Sequence, residues 1–285
     1  MSAILAPLRE AVAEFLGTFI LVFFGVGAVH VAVLTGALPG LWQVASVWGV
    51  GIALAIYATG SISGAHLNPA ITVAFAAFRK FPLRKVGPYV FSQAAGAFVA
   101  AALLYALYSG GIARYEAANG LMRGGSGSER SAMVYGEYFP NPAMAEGAGS
   151  VLSGVTEGGA MLGEGVGTAL LAFFIFALTD YRNSGRPGGT LFALFIGLAV
   201  AIIICIIGPL TQAGLNPARD FAPRLFAYFA GWGSVAIPGP RGGFFTVYIL
   251  SPVLGAIAGA AVYQYVLRPG LSPSRERAAT AQVGE

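Results

Sequence analysis

The feature that most constrains this chain is a polar, helix-breaking tetrapeptide that occurs twice within apolar sequence. Leu-Asn-Pro-Ala stands at 67–70 and again at 215–218, so its two asparagines are 148 positions apart. Proline is favoured at the first position of a helix, and asparagine is a good N-cap directly before it. Each copy therefore predicts the start of a helix. The motif residues are Asn68, Pro69, Ala70, Asn216, Pro217 and Ala218.

The composition around these motifs is that of a membrane protein. Of 285 residues, 56% are hydrophobic and only 10% are charged, whereas soluble domains carry roughly 25% charged residues. Six apolar runs approach the ~20 residues that a helix needs to cross a ~30 Å hydrocarbon core. They lie at 15–34, 42–57, 89–108, 169–178 with its flanks, 191–207 and 244–267. The net charge of +4 is spread over loops and a basic tail, which favours membrane topology over nucleic-acid binding.

The two halves of the chain repeat each other. "AEFLGTFILVFFGVGA" at 13–28 is similar to "GEGVGTALLAFFIFAL" at 163–178, and Glu14 and Glu164 hold the same place in the two copies. Each half has three spans, so the second half enters the membrane from the opposite side. Inverted repeats of this kind place a site at their interface, near the middle of the membrane.

The helix that starts after Asn68 can continue only to about Arg79, where charges and then Pro82 follow. About eleven residues make ~16 Å of helix, or half of the hydrocarbon core. The sequence therefore predicts an all-α membrane protein of inverted three-span repeats, with six transmembrane helices and two half-helices. The half-helices enter from opposite sides, so their N-termini should meet near the middle.

Irregular backbone at that depth persists only where it is buried in protein or lines a cavity. We expect the residues before each motif to line a pore with their carbonyl groups, and the converging helix N-termini to repel cations. In the second half this stretch is expected over 208–215. The pore backbone residues are Gly64, Ala65, His66, Leu67, Gly214 and Leu215.

Lys and Arg cluster at 79–85, at 182–186 and at both termini, which predicts that these segments are cytoplasmic. The segment 109–158 is rich in Gly and Ser and is expected to be a mobile external loop. The tail at 271–285 is expected to be a disordered cytoplasmic segment. Repeat one then covers about 10–108 and repeat two about 160–268.

The motifs "AEFLGT", "SGAHLNPA" and "GLNPARDF" together resemble those of the aquaporin and aquaglyceroporin family of major intrinsic proteins, over roughly 10–268. The stretch from Gly208 to Gly233 is especially similar to bacterial glycerol facilitators. The resemblance implies an aquaporin-like fold, a homotetramer with one pore per subunit, and no cofactor. It also implies a multi-pass protein of the inner or plasma membrane that passes small neutral solutes through the lipid bilayer.

Arg219 follows the second motif, and a charge within the membrane is by default a functional hypothesis. The resemblance places Arg219 in a selectivity constriction, and alignment of the motifs adds Trp48, Ile204 and Ala213. A snorkelling Arg219 and an interfacial Trp48 are the alternatives. Water-selective relatives have His and a second aromatic residue at these positions, and glycerol facilitators have Trp, Gly, Phe and Arg. The set found here resembles that of the plant nodulin-like branch.

The four side chains predict passage of glycerol and water, with undissociated arsenous acid as a further candidate solute. Trp48 offers an apolar plate to a carbon backbone, Ala213 leaves room, and Ile204 removes a hydrogen-bonding partner from water. A water-selective channel is the first alternative. A transporter that couples flux to protons through Glu14 and Glu164 is the second.

The buried glutamates have a simpler interpretation as acceptors for the backbone donors of the broken segments, which need partners. His66 is interpreted as a pore-wall residue that fixes the backbone before Asn68, rather than as a proton relay or metal ligand. Asp220 and Arg224 stand one turn apart, which favours an ion pair, and in the family they mark the glycerol branch. Tyr248-Ile249 fits neither branch.

No nucleophile–base pair, clustered metal ligands or phosphate-binding loop stands out in the sequence, which argues against an enzyme and against a metal site. The single cysteine, Cys205, excludes an internal disulfide.

Overall fold

The computed structural model describes residues 2–78, 80–144 and 151–271, and all regular structure in these ranges is helical. Six helices in them are long and apolar enough to cross a membrane. The α-helices are α1 Ser2–Thr35, α2 Leu41–Ser63, α3 Pro69–Ala77, α4 Val86–Ala118, α5 Glu129–Ala132, α6 Glu157–Thr179, α7 Phe192–Thr211, α8 Pro217–Ala227 and α9 Ser251–Val262. The spans are α1, α2, α4, α6, α7 and the segment Thr246–Gly270, in which π-helical turns flank α9. The predicted all-α class and the six spans are confirmed.

The spans cross at close range where glycine removes a side chain. A Cβ at Gly96 of α4 would collide with the Phe15 carbonyl of α1, and one at Gly255 of α9 would collide with the Gly165 carbonyl of α6. These two contacts hold equivalent places in the two repeats. Small residues commonly let membrane helices approach in this way, because packing rather than the hydrophobic effect holds the helices together.

The two half-helices begin where the sequence predicts. Asn68 and Asn216 are the N-caps of α3 and α8, and the proline that follows each of them is the first helical residue. The half-helices contain 9 and 11 residues, which makes them about 14 and 17 Å long at 1.5 Å per residue. The first ends at Ala77, just before the expected limit at Arg79, which lies outside the described residues.

The second irregular stretch is shorter than expected. α7 continues through Pro209 to Thr211, so only 212–215 is non-helical. The last turn of α7 remains intact because its carbonyl groups find donors. The Gly208 carbonyl accepts hydrogen bonds from Gln212 N at 2.8 Å and from Asn141 Nδ2 at 2.9 Å.

The segment 109–158 also differs from the expectation of a mobile loop. Its first ten residues extend α4 to Ala118, and residues 131–139 are buried against the rest of the protein. The apolar and aromatic side chains of this stretch drive the burial, and polar contacts fasten its flanks. Arg123 pairs with Glu116 at 2.8 Å, and Trp232 Nε1 donates to Ser131 Oγ at 2.9 Å. Residues 145–150 lie outside the described residues, as do residues 272–285 of the expected disordered tail.

Candidate pore and its constriction

The N-termini of the half-helices meet through reciprocal hydrogen bonds. Asn68 Nδ2 donates to the Leu215 carbonyl at 2.9 Å, and Asn216 Nδ2 donates to the Leu67 carbonyl at 2.8 Å. Each side-chain oxygen caps its own half-helix, because Asn68 Oδ1 accepts from Ala70 N and Asn216 Oδ1 accepts from the backbone N–H groups of 218 and 219. An amide NH₂ has two hydrogens, so each asparagine keeps one for a solute.

The backbone before each motif adopts an unusual conformation that repeats between the halves. Ala65 and Leu67 have φ of 48° and 52°, and Ala213 and Leu215 have φ of 58° and 55°. Positive φ costs a residue with a side chain about 1–3 kcal/mol, and such residues cluster at functional sites. The matching positions of these residues show that the irregular segments before the two motifs have the same backbone conformation.

Glu14 forms hydrogen bonds with the first of these irregular segments. Its Oε1 accepts hydrogen bonds from His66 N at 2.9 Å and Ser63 Oγ at 2.6 Å, and its Oε2 accepts from Leu67 N at 2.8 Å and Gln93 Nε2 at 2.7 Å. The carboxylate is fully buried. Its acceptor capacity is directed to the irregular segment and to the helices beside it.

Glu164 forms equivalent hydrogen bonds with the second irregular segment. Its Oε1 accepts from Thr211 Oγ1 at 2.6 Å and Gly214 N at 2.8 Å, and its Oε2 accepts from Leu215 N at 2.7 Å. Glu164 is also fully buried. These contacts favour the structural interpretation of both glutamates over a role in proton coupling.

The two irregular segments border a cavity, here called the central cavity, which is lined by two chemically different kinds of group. Residues 64–68 and 212–216 provide backbone and asparagine amides. The rest of the lining is mainly apolar side chains, among them Leu21, Ile52, Ile56, Ile175, Ile196 and Val200. A solute in this cavity can therefore form hydrogen bonds with the backbone and asparagine amides and make apolar contacts with the remaining lining.

Trp48, Ile204, Ala213 and Arg219 all line the central cavity. Three of them, Trp48, Ile204 and Arg219, also line a second cavity beside the 109–158 segment, here called the outer cavity. These three residues thus border both cavities, whereas Ala213 lines the central cavity. The guanidinium carbon of Arg219 lies over the Trp48 ring, 4.4 Å from its centroid, which is a cation–π contact.

Arg219 has a partner that sequence reasoning missed. Its Nη1 forms an ion pair with Glu137 Oε1, and both side chains are buried, with exposures of 6% and 1%. The backbone of Glu137 is held in turn by α8. Its N–H donates to Asp220 Oδ1 at 2.8 Å, and its carbonyl accepts from Arg224 Nη2. Asp220 and Arg224 form the expected ion pair at 2.8 Å.

The profile of the major intrinsic protein family matches residues 2–263. The chain belongs to this family. It is 47% identical over 256 residues to the glycerol uptake facilitator protein of Haemophilus influenzae, covering 90% of this chain and 92% of that one. It is 46% identical over 263 residues to the propanediol uptake facilitator PduF of Citrobacter freundii, covering 92% and 93%. Its fold is similar to that of the aquaglyceroporin from Plasmodium falciparum, with a TM-score of 0.78, 26% identity, and coverage of 93% of this chain and 98% of that one.

In this major intrinsic protein, Glu137 was missed because it lies in a segment expected to be mobile. A signal was present, since "VYGEYFPNP" at 134–142 is an aromatic-rich run with a further Asn-Pro inside a Gly- and Ser-rich segment. The role of the Gln212 side chain was also missed, although its backbone lies in the 208–215 stretch that was expected to line the pore. Gln212 lines both cavities, and its side chain is held by 109–158, because Oε1 accepts from Tyr138 N at 2.9 Å and Nε2 donates to the Met133 carbonyl at 3.2 Å.

His66 lines the central cavity and is packed among aromatic rings. Its ring centroid lies 4.8 Å from that of Phe75 and 5.2 Å from that of Tyr89, and its Nδ1 lies 3.2 Å from Thr72 Oγ1. Within the described ranges no group of three or more His, Cys, Asp or Glu side chains is arranged to hold a metal ion. The contacts suit a residue that fixes the pore wall.

The position of Cys205 predicts weak inhibition by mercurials. The thiol follows Ile204 on α7, where consecutive side chains point about 100° apart, and it packs against the core instead of lining either cavity. We expect mercuric chloride to leave flux nearly unchanged, and to block an Ile204→Cys variant strongly in the same vesicle assay. Strong inhibition of the unaltered protein that Cys205→Ala relieves would show that this thiol reaches the pore.

Proposed function

We propose that this protein is a passive channel for glycerol, similar small hydroxy solutes and water, with undissociated arsenous acid as a further solute. The observation that carries the proposal is the mixed polar and apolar lining of the pore. Polar backbone and asparagine amides line the central cavity together with apolar side chains, and Arg219 lies over the Trp48 ring at its outer end.

A polyol suits this lining better than water does. It can place its CH groups on Trp48 and Ile204 while its hydroxyl groups contact Arg219 and the carbonyls of the irregular segments. Water has no apolar side, so at Ile204 it loses a partner, at a net cost of ~1 kcal/mol per hydrogen bond. The small side chain of Ala213 leaves the width that a carbon backbone needs.

The named relatives support the same solute class. They are uptake facilitators for glycerol and for propanediol, both of which are short carbon chains with two or three hydroxyl groups, and they match this chain over at least 90% of its length. A water-selective channel is the competing hypothesis. The presence of Ile204 and Ala213 in the constriction, where water-selective channels have a histidine and a second aromatic residue, argues against it.

Stopped-flow light scattering on proteoliposomes tests the proposal, with water, glycerol and arsenous acid compared in one preparation. We expect glycerol influx well above that of protein-free vesicles, along with measurable water flux. Rapid water flux with glycerol influx at the protein-free level would assign the protein to the water-selective channels instead.

We expect the flux to be passive and to carry no protons. Two helix N-termini converge on Asn68 and Asn216, and this electropositive midpoint opposes proton passage. A pH gradient imposed across the vesicles should leave the glycerol equilibrium unchanged. Uphill glycerol accumulation driven by that gradient would favour the proton-coupled transporter.

For topology and assembly, we assign residues 10–268 to one channel domain with both termini cytoplasmic, in the inner or plasma membrane. The distribution of Lys and Arg supports this orientation. Large apolar side chains are exposed on the single subunit, including Phe91 at 76% and Ile206 at 73%, which suits contact with lipid or with other subunits of a homotetramer. Reporter fusions at the termini test the topology, and native mass spectrometry tests the tetramer.

A further inference from the structure

The constriction contains an ion pair where a lone cation was expected. Arg219 lines both the central and the outer cavity, whereas Glu137 lines neither of them and borders a separate external cavity beside Arg224 and Tyr248. Glu137 therefore contacts Arg219 from behind, on the side away from the solute path. It acts on a passing solute only through the guanidinium.

We propose that Glu137 is a positioning residue that sets how strongly the constriction retains a polyol. It does so by neutralising Arg219 and by drawing guanidinium donors away from the pore. This inference rests on the channel function proposed above. It assigns a purpose to a residue of the 109–158 segment, and to the Asp220–Arg224 pair that clamps its backbone.

The argument starts from what an unpaired Arg219 would do. A guanidinium has five N–H donors, and hydrogen bonds to an ionised group are roughly twice as strong as those between neutral groups. Glycerol carries several hydroxyl groups and would be held at such a site. Conduction requires that a solute bind well enough to enter but weakly enough to leave, so tight retention slows flux.

Glu137 removes this trap. Its carboxylate pairs with Nη1 and offsets the charge of Arg219 within a buried site, where salt screens the interaction much less than at an exposed surface. Apart from Arg219, no hydrogen-bond donor in the part of the chain that the structure describes reaches either carboxylate oxygen of Glu137. The ion pair with Arg219 is thus the contact that accounts for the placement of this buried acid.

The experiment measures how glycerol blocks water flux, because a polyol retained at the constriction obstructs the passage of water. In Glu137→Gln, the shape is kept and the charge is lost. We expect the glycerol concentration that halves water flux to fall on the order of tenfold, which corresponds to about 1.4 kcal/mol of tighter retention, and glycerol flux itself to slow. Glu137→Asp, which keeps the charge, should stay closer to the unaltered protein.

The control is Glu129→Gln, which removes a glutamate from the same segment at the short helix α5 and should leave the half-blocking concentration unchanged. A merely structural role for Glu137 would reduce the number of working channels but not that concentration. A Glu137→Gln protein with normal half-block overturns the inference. Absence of glycerol flux in the unaltered protein would instead refute the proposed function.

If Glu137→Gln does not fold because Arg219 is left buried without a partner, the double variant Glu137→Gln/Arg219→Gln decides the question. It restores charge balance, so we expect it to fold and to require at least as much glycerol for half-block as the unaltered protein. A neutral double variant that glycerol blocks at lower concentration would overturn the inference.

Discussion

Replacement of Ile204 by His together with Ala213 by Cys is expected to lower glycerol flux at least on the order of tenfold while water flux persists. Both side chains line the central cavity at its outer end. A sulfur at 213 narrows the opening, and an imidazole at 204 gives water the partner that isoleucine withholds. A barrier increase of about 1.4 kcal/mol for glycerol alone suffices for a tenfold change.

The measurement is the ratio of glycerol to water permeability in one vesicle preparation, so differences in protein density cancel. Cys205→Ala is the matched control, because it alters the neighbouring residue of α7 but not the lining of either cavity. It should leave the ratio unchanged. Should the double variant keep the ratio of the unaltered protein, 204 and 213 do not set selectivity.

The half-helices could be predicted from sequence because local rules determine them. Asn-Pro is both an N-cap and a first helical turn, and the duplication at a fixed offset removes the ambiguity of a single motif. The same duplication pairs Glu14 with Glu164, and the structure shows both with equivalent backbone partners. The internal repeat of the sequence therefore identified equivalent residues that the amino-acid composition alone does not reveal.

Contacts between distant parts of the chain were less accessible. Glu137 meets Arg219 across 82 positions of sequence, and no helical or turn period links two such residues. Gln93 was missed although it is a polar residue in an apolar span, a recognised sign of function. It donates to Glu14 and to Thr72 Oγ1 at 3.0 Å, so it completes a network that only the folded chain brings together.

The end of α7 shows the limit of reading helix breakers one at a time. Gly208 and Pro209 predicted irregular backbone, but the helix continues to Thr211. Asn141 of the 109–158 segment donates to the Gly208 carbonyl and helps to satisfy that turn. The same carbonyl accepts from Gln212 N, so this turn keeps its helical bond and gains a tertiary contact that the local sequence does not reveal.

Replacement of Glu164 by Gln is expected to reduce the yield and thermal stability of folded protein far more than it changes selectivity. The carboxylate accepts from Thr211, Gly214 and Leu215. A glutamine has one acceptor oxygen and an NH₂ group, so at least one of these buried donors faces another donor. An unsatisfied buried donor costs about 1–3 kcal/mol.

The strained irregular segment adds to this cost, because the hydrogen bonds to Glu164 help to hold Ala213 and Leu215 at positive φ. Strain of about 1–3 kcal/mol at each residue would then favour a different backbone, against a total stability of roughly 5–15 kcal/mol for a typical protein. We expect the folded fraction to fall sharply in fluorescence-detected size exclusion and in thermal denaturation. Glu14→Gln should behave alike, because its carboxylate has equivalent partners.

The matched control is Glu157→Gln, at the exposed start of the same helix α6, which should express and unfold like the unaltered protein. Glu164 lies outside the lining of the central cavity, so the Glu164→Gln molecules that do fold should keep the glycerol-to-water ratio. A Glu164→Gln protein that is as abundant and stable as the unaltered one, yet transports nothing, would contradict the structural role. Such a result would favour the proton-coupled transporter, because a carboxylate that is needed for transport but not for folding would have to change its interactions during the transport cycle.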